Sequence, residues 1–237
     1  ELINGQDVQD DVDAWHVINI SNNFIVNNVA GLAGGGISMQ DALRVNIVNN
    51  TVVNNDSTAT AGEAFLAGNP NQSTAQPAGI VSRAHSVVLN GQINTDAKFN
   101  GYRNFSNPTL VNNIIWHNRS FYFVIDPVNP ALFGLVPNIG TGEAPLFDDL
   151  GVLGFAGAMS PINSILTPGS PELGVIDAGT GADPNGNRDQ DPIVVSSYFN
   201  GSPAQTINRL EATTSIQTAV AFDEGGNFID MHYGPLT

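Results

Sequence analysis

The sequence predicts an all-β protein, and within that class a parallel β-helix: a solenoid of stacked coils with long Pro/Gly-rich loops in its C-terminal half. Three observations carry this expectation. One nine-residue stretch is written nearly three times, as ISNNFIVNN at 20–28, IVNNTVVNN at 47–55 and LVNNIIWHN at 110–118. Elsewhere β-branched residues fall in short runs bounded by Asn, Gly or Asp, a strand-and-turn signature. Helix signals are poor, with 25 Gly and 14 Pro in 237 residues.

The first copy sets the geometry. A three-residue apolar run with a polar pair at each end is too short for a hairpin sandwich. It suits one side of a coil that turns a corner and pairs with its counterpart in the next coil. Asparagine suits the corners, since it tolerates the left-handed αL conformation. Its amide can also bond to an identical amide one coil away and so form a ladder. His117 takes an asparagine position in the third copy and is expected to make a corner hydrogen bond.

The remaining elements follow in chain order. GGGISM at 34–39 follows the first copy as a turn and a strand, and GEAFLAG (62–68) and AGIVSRA (78–84) are candidates for the same side. The interval from the second copy to the third exceeds two periods, so a further coil with a loop is expected there, the loop falling near 69–77 or 95–108. Residues 126–192 hold most of the prolines and read as long ordered loops. A turn at Glu224-Gly225-Gly226-Asn227 and a strand over 228–233 close the chain. The division expected is 1–124, coils with Asn-rich turns, and 125–237, a loop-rich part holding further irregular coils. The opening ELINGQDVQDDVDAW reads like the middle of a protein, so a mature or proteolysed fragment of something longer is expected.

Bulk properties narrow the function. Hydrophobic residues are 41% and charged residues only 12%, with polarity carried by Ser, Thr, Gly and 29 asparagines. The net charge of −15 argues against nucleic acid and anionic membrane surfaces, which require basic patches. It is compatible with divalent cations. Without cysteine there is no disulfide, Cys-ligated zinc, iron–sulfur cluster or C-x-x-C-H haem attachment. No stretch approaches the roughly 18 apolar residues of a spanning helix, so membrane insertion is not expected.

The sharpest local motif is DPNGNRDQD at 183–191, where Asp183, Asn185, Asn187, Asp189 and Asp191 place oxygen-bearing side chains at alternate positions. Such alternation can point several oxygens at one Ca²⁺. Against an EF-hand loop the glycine is early, Arg188 takes the sixth place and Val194 stands where a bidentate Glu belongs. The competing reading is a solvated acidic turn. Asp7, Asp10, Asp11 and Asp13 are expected to be a hydrated terminus. The four histidines, His16, His85, His117 and His232, lack metal-site spacing, and Gly34-Gly35-Gly36 reads as a turn rather than a phosphate loop. Trp15, Trp116, Phe121, Tyr122 and Phe123 fit packing better than a sugar-stacking face.

VNNIIWHN preceded by FSNPTL, the GGGI turn and the repeated Asn pairs resemble bacterial right-handed parallel β-helix surface proteins, of the pectate-lyase-like and polymorphic outer-membrane-protein group. The resemblance implies a right-handed β-helix at a bacterial cell surface or outside the cell. DLGVLG, SILTPGS and DEGGNFIDMHYGPLT resemble segments of very large secreted β-helix proteins of bacteria that reduce extracellular metals. That likeness implies association with the rest of a larger protein or with a surface assembly such as an extracellular cytochrome filament. Asn94-Thr95-Asp96 resembles one element of polygalacturonases and Asp148-Asp149 offers an acid pair, but the G-H-G and R-x-K elements are missing. A lyase would need clustered Arg or Lys, and the seven basic residues are scattered. The expectation is therefore no catalytic residue and no organic cofactor: a structural or adhesive scaffold with possible Ca²⁺. A polysaccharide lyase, hydrolase or carbohydrate-binding module is the alternative, with polysaccharide as its partner.

Overall fold

The computed structural model describes residues 2–3, 6–7, 11–125, 134–139 and 146–193. Asp10, Val194, the turn at 224–227, the strand expected over 228–233 and His232 lie outside the described residues.

The described chain is mostly strand, arranged in parallel sheets, with few helical turns. After a short antiparallel pair, β1 (Leu2–Ile3) and β2 (Gln6–Asp7), the strands fall into successive tiers. The first tier is β3 (Val17–Ser21), β4 (Phe24–Val26), β5 (Val29–Ala30) and β6 (Ile37–Met39). The second is β7 (Arg44–Val48), β8 (Thr51–Val53), β9 (Asp56–Ser57) and β10 (Ile80–Arg83). The third is β11 (Thr109–Val111), β12 (Ile114–Trp116), β13 (Arg119–Val124) with its antiparallel neighbour β14 (Gly134–Pro137), and β15 (Leu150–Leu153). The fourth is β16 (Pro161–Ile162) and β17 (Ile165–Leu166).

Apart from the third-tier pair β13 and β14, neighbours in each sheet come from successive tiers: β3-β7-β11-β16, β4-β8-β12-β17, β5-β9-β13-β14 and β6-β10-β15. Register follows the repeated sequence. Ile20 pairs with Ile47, which pairs with Leu110. Ile25 pairs with Val52, which pairs with Ile115 and then Leu166. Strands alternate their side chains between two faces, and these columns form the core: Ile47, Val52, Ile80, Leu110, Ile115 and Leu166 are fully buried. The sheets run on past residue 124, since β15, β16 and β17 pair with strands of the earlier tiers.

One expectation is corrected. The interval between the second and third copies holds no additional tier, because β11 and β12 pair directly with β7 and β8. Two excursions fill it instead. One leaves after β9, takes a 3-10 turn at Gly62–Ala64 and returns through an antiparallel Phe65–Ser73 bridge. The other carries the short helix α1 (Val87–Gln92) and a 3-10 segment, Ala97–Tyr102. Ser86 starts α1 by accepting the Leu89 N–H, a side-chain cap for an otherwise unsatisfied donor. AGIVSRA does lie beside GGGISM, with Ile80 opposite Ile37, whereas GEAFLAG belongs to the first excursion.

Candidate functional site

The polar residues concentrate at the two bends of each tier, and there the paired asparagines divide the work. The first of each pair is the left-handed residue. Asn22, Asn49, Asn112 and Asn163 have φ of 58°, 57°, 56° and 49° at the first bend, and Asn27, Asn54 and His117 have 59°, 53° and 54° at the second. The second of each pair turns inward and bonds to the tier beyond.

At the first bend, Asn23 donates its backbone N–H and its Nδ2–H to Asn50 Oδ1, each at 3.0 Å. Asn50 donates the same two groups to Asn113 Oδ1, at 2.9 and 3.3 Å. The Asn113 N–H then reaches Ser164 Oγ at 3.1 Å, and the Ser164 N–H reaches Asn187 Oδ1 at 3.0 Å. Each ladder amide also donates back to a carbonyl of the tier before: Asn50 to Ile20, Asn113 to Ile47 and Asn187 to Pro161, all at 2.8 Å. The second bend repeats the scheme, from Asn28 to Asn55 Oδ1 at 3.0 Å and from Asn55 to Asn118 Oδ1 at 3.1 and 2.9 Å.

Both ladders therefore point one way, and both end on a carboxylate. Asn118 gives its two N–H groups to Asp149 Oδ1, at 3.1 and 2.7 Å, and Asp149 Oδ2 accepts the Thr167 N–H at 3.1 Å. Asn187 gives its two to Asp183, at 2.8 Å on Oδ1 and 3.1 Å on Oδ2. Among the described residues neither carboxyl group gives a hydrogen bond onward, so nothing is passed on.

Glycines keep room for the second ladder. Gly36, Gly79 and Asp149 precede the paired residues Ile37, Ile80 and Leu150. A Cβ at Gly79 would lie 2.2 Å from the Asp149 carbonyl oxygen and 2.9 Å from Asn118 Nδ2. One tier further on, where that column holds an aspartate, its side chain fills the space in which the ladder stops.

This placement accounts for two members of the calcium motif. Gly186 (φ 79°) and Asn187 occupy the left-handed and ladder positions of a fifth first bend. Asp183 also accepts the N–H groups of Gly174 at 3.0 Å and Asn185 at 2.8 Å. Burial raises the Asp183 carboxyl, but the bonds from Gly174, Asn187 and Asn185 outweigh it and hold it below the usual range. The Asn185 carbonyl accepts the Asn163 N–H, and Asp191 accepts the Ile193 N–H at 2.8 Å. Asp183 and Asn187 thus aim at N–H donors rather than at a shared centre, and the five residues fit a cation only in part. Among the described residues no group of three or more His, Asp or Glu side chains is placed to hold a metal ion.

The other candidates are dispersed. Asn94 accepts the Asp96 N–H in an exposed turn. Asp11 caps a 3-10 turn and Asp13 lies 3.5 Å from Arg44, while Asp7 is in β2. The His85 ring contacts the Tyr102 carbonyl and lies 3.4 Å from Asp41. His117 bonds through its backbone N–H to Thr167 Oγ1, and its ring stacks between Trp116 and Phe147 at 4.7 and 4.2 Å. Burial lowers its pKa, with Asp191 acting in the opposite sense. Trp116 and Phe121 are buried, and Trp15 stacks on Phe99.

The sequence reading named the Asp148-Asp149 pair but missed its third member, Glu172, and one further feature. Asp148, Asp149 and Glu172 form an acidic group in which Asp148 is pushed up to about 6 by burial, with Glu172 and Asp149 adding to the rise. Burial also raises Asp149 and Glu172, against the bonds that Thr167 and Asn118 give the first and Ser170 gives the second. The further feature is a depression of about 490 Å³, lined by Asn69, Gln72, Ser73, Thr74, Tyr122 and Asn138. The signal for Asp149 was the register of Gly36 with Gly79, which becomes visible only once the tiers are aligned.

Compared with protein-family models, curated proteins and solved structures, the chain matches none.

Proposed function

We propose that the tiers form a right-handed parallel β-helix that serves as a non-catalytic structural or adhesive scaffold, outside a bacterial cell or on its surface. In this reading the chain is a section of a larger secreted protein, bound to a surface assembly such as an extracellular cytochrome filament. The observation that supports it is where the chemistry-bearing groups are spent. Ladder asparagines and Asp149 are committed to neighbouring tiers and Asp183 to its own bend, and among the described residues no group of three or more His, Asp or Glu side chains is placed to hold a metal ion. In glycosidases that use paired carboxylates, the two groups flank one bond at about 5–10 Å. The test is incubation with uronate and neutral polysaccharides, following new reducing ends and unsaturated products. No release is expected; turnover of any of them sinks the scaffold reading.

A carbohydrate-binding role is the second reading, and the depression beside Tyr122 favours it. Amides and hydroxyls suit sugar hydroxyls, and an aromatic ring suits the apolar sugar face. If it holds, Tyr122→Ala abolishes retention on a polysaccharide column that retains the parent chain. Calcium stays in the proposal in a narrowed form, through the Asn185, Asp189 and Asp191 side chains at the tier edge. Calcium held there raises the melting temperature by mass action, so a chelator-treated sample should melt lower. Identical melting with and without chelator removes the ion from the proposal.

A further inference from the structure

Among the described residues the two ends of the stack are chemically different. At the far end the ladder donors are consumed by Asp149 and Asp183. At the near end the ladders begin with Asn23 and Asn28, and among the described residues no donor reaches either Oδ1. In the second tier the equivalent atoms, Asn50 Oδ1 and Asn55 Oδ1, each accept two N–H groups from the tier before. Asn50 Nδ2 also splits between its own tier, at Val48 O, and the earlier one, at Ile20 O. Asn23 Nδ2 makes the first kind of bond, to Ser21 O at 2.9 Å, and among the described residues has no earlier carbonyl to make the second.

The core is open at the same end. Ile18 and Val45 are register partners, yet Ile18 is 47% exposed and Val45 3%. Strands β3, β4, β5 and β6 each end their sheet among the described residues. Such an edge presents a row of backbone groups ready to pair with another strand.

We infer that the first-tier edge is a docking surface for one further parallel tier, supplied by a partner segment that carries asparagine at both bends. The inference rests on the scaffold reading and names the chemistry of its partner. Such a segment delivers two N–H donors to each of Asn23 Oδ1 and Asn28 Oδ1, and a carbonyl to Asn23 Nδ2. Its apolar residues cover Ile18, Ile20 and Ile25. The far end of a second copy is a poor fit, because its ladder donors are already held by carboxylates. This is strand addition with backbone pairing for affinity and the bends for register.

The test uses the full chain and a peptide of the first tier's own sequence, VINISNNFIVNNVA, which matches residues 17–30. Saturable binding by calorimetry is expected, with NMR shifts of the Asn23 and Asn28 side-chain amides. A peptide with alanine at its four bend asparagines is expected to bind at least tenfold more weakly. Because that change is in the peptide, folding of the protein is not in question. Absence of saturable binding overturns the inference, as does equal binding of the alanine peptide, which would mark the edge as merely apolar. Concentration-dependent self-association of the chain alone, seen by sedimentation, also overturns it by making the occupant a second copy. None of these results bears on polysaccharide turnover, so the scaffold reading stands or falls separately.

Discussion

Asn49 and Asn50 are adjacent residues of one type, yet substitution at the two positions has different expected consequences. Asn49 is held at φ 57°, a conformation that glycine adopts freely. Asn49→Gly is expected to stay within about 0.5 kcal/mol of the parent chain, and Asn49→Val to cost about 1–3 kcal/mol. Ladder positions behave otherwise. Asn55 is fully buried and bonds to Asn28, Asn118 and Ile25. Asn55→Ala leaves several buried groups without partners, at about 1–3 kcal/mol each, and urea unfolding should resolve the contrast. The carboxylates set a pH dependence. Burial raises Asp148, Asp149 and Glu172, so folding favours their protonated forms. Their contribution is complete below the ordinary carboxylate pKa of about 4 and is lost as pH rises through about 6 for Asp148. Asp183 is lowered, and its contribution is present above the ordinary value and lost on acidification. On the carboxylates' account the urea midpoint is expected to be higher at about pH 5 than at about pH 7.5, with His117, lowered by burial, acting in the opposite sense, and Asp148→Asn should reduce the difference. A midpoint that rises from the lower pH to the higher contradicts this.

Elements are held in register by what the bends allow. The apolar runs FIV, TVV and IIW and their flanking pairs were legible because every determinant sits within nine residues, and the structure pairs them position by position. That the interval holds loops near 69–77 and 95–108 was legible; that it holds no further tier was not, since insertions between β9 and β10 and between β10 and β11 leave no mark on the strands. Spacing alone could not distinguish a loop from a tier. The calcium-like spacing of 183–191 arises partly from a bend in which Gly186 and Asn187 repeat the roles of Asn22 and Asn23. The terminating role of Asp149 was hidden as well, because its partner Asn118 lies 31 residues away. Glycine placement gives the element-scale prediction. Gly79→Ala drives a Cβ into backbone, with an overpacking cost of about 1–3 kcal/mol or more. Gly62→Ala meets open space and should leave the melting temperature within about 2 °C, consistent with a surface change of under 0.5 kcal/mol.

At the scale of the whole molecule, each tier contacts mainly its neighbours, so stability is close to a sum of tier and interface terms. The first tier has a partner on one side among the described residues, and the second has partners on both. Amide exchange is therefore expected to be at least about tenfold faster in β3 than in β7, reflecting local opening from that end. Equal protection in the two strands would show that the first tier does not open independently.

The direction of the ladders has a consequence best seen by treating the stack as a one-dimensional crystal. Its faces are unequal: one exposes acceptor atoms in the lattice repeat, and the other is poisoned by carboxylates that accept the last donors and offer none. Such a crystal grows and melts from one face. Among the described residues Asp149 and Asp183 end the two ladders, and replacing them with asparagine would give each ladder end an amide that can donate onward.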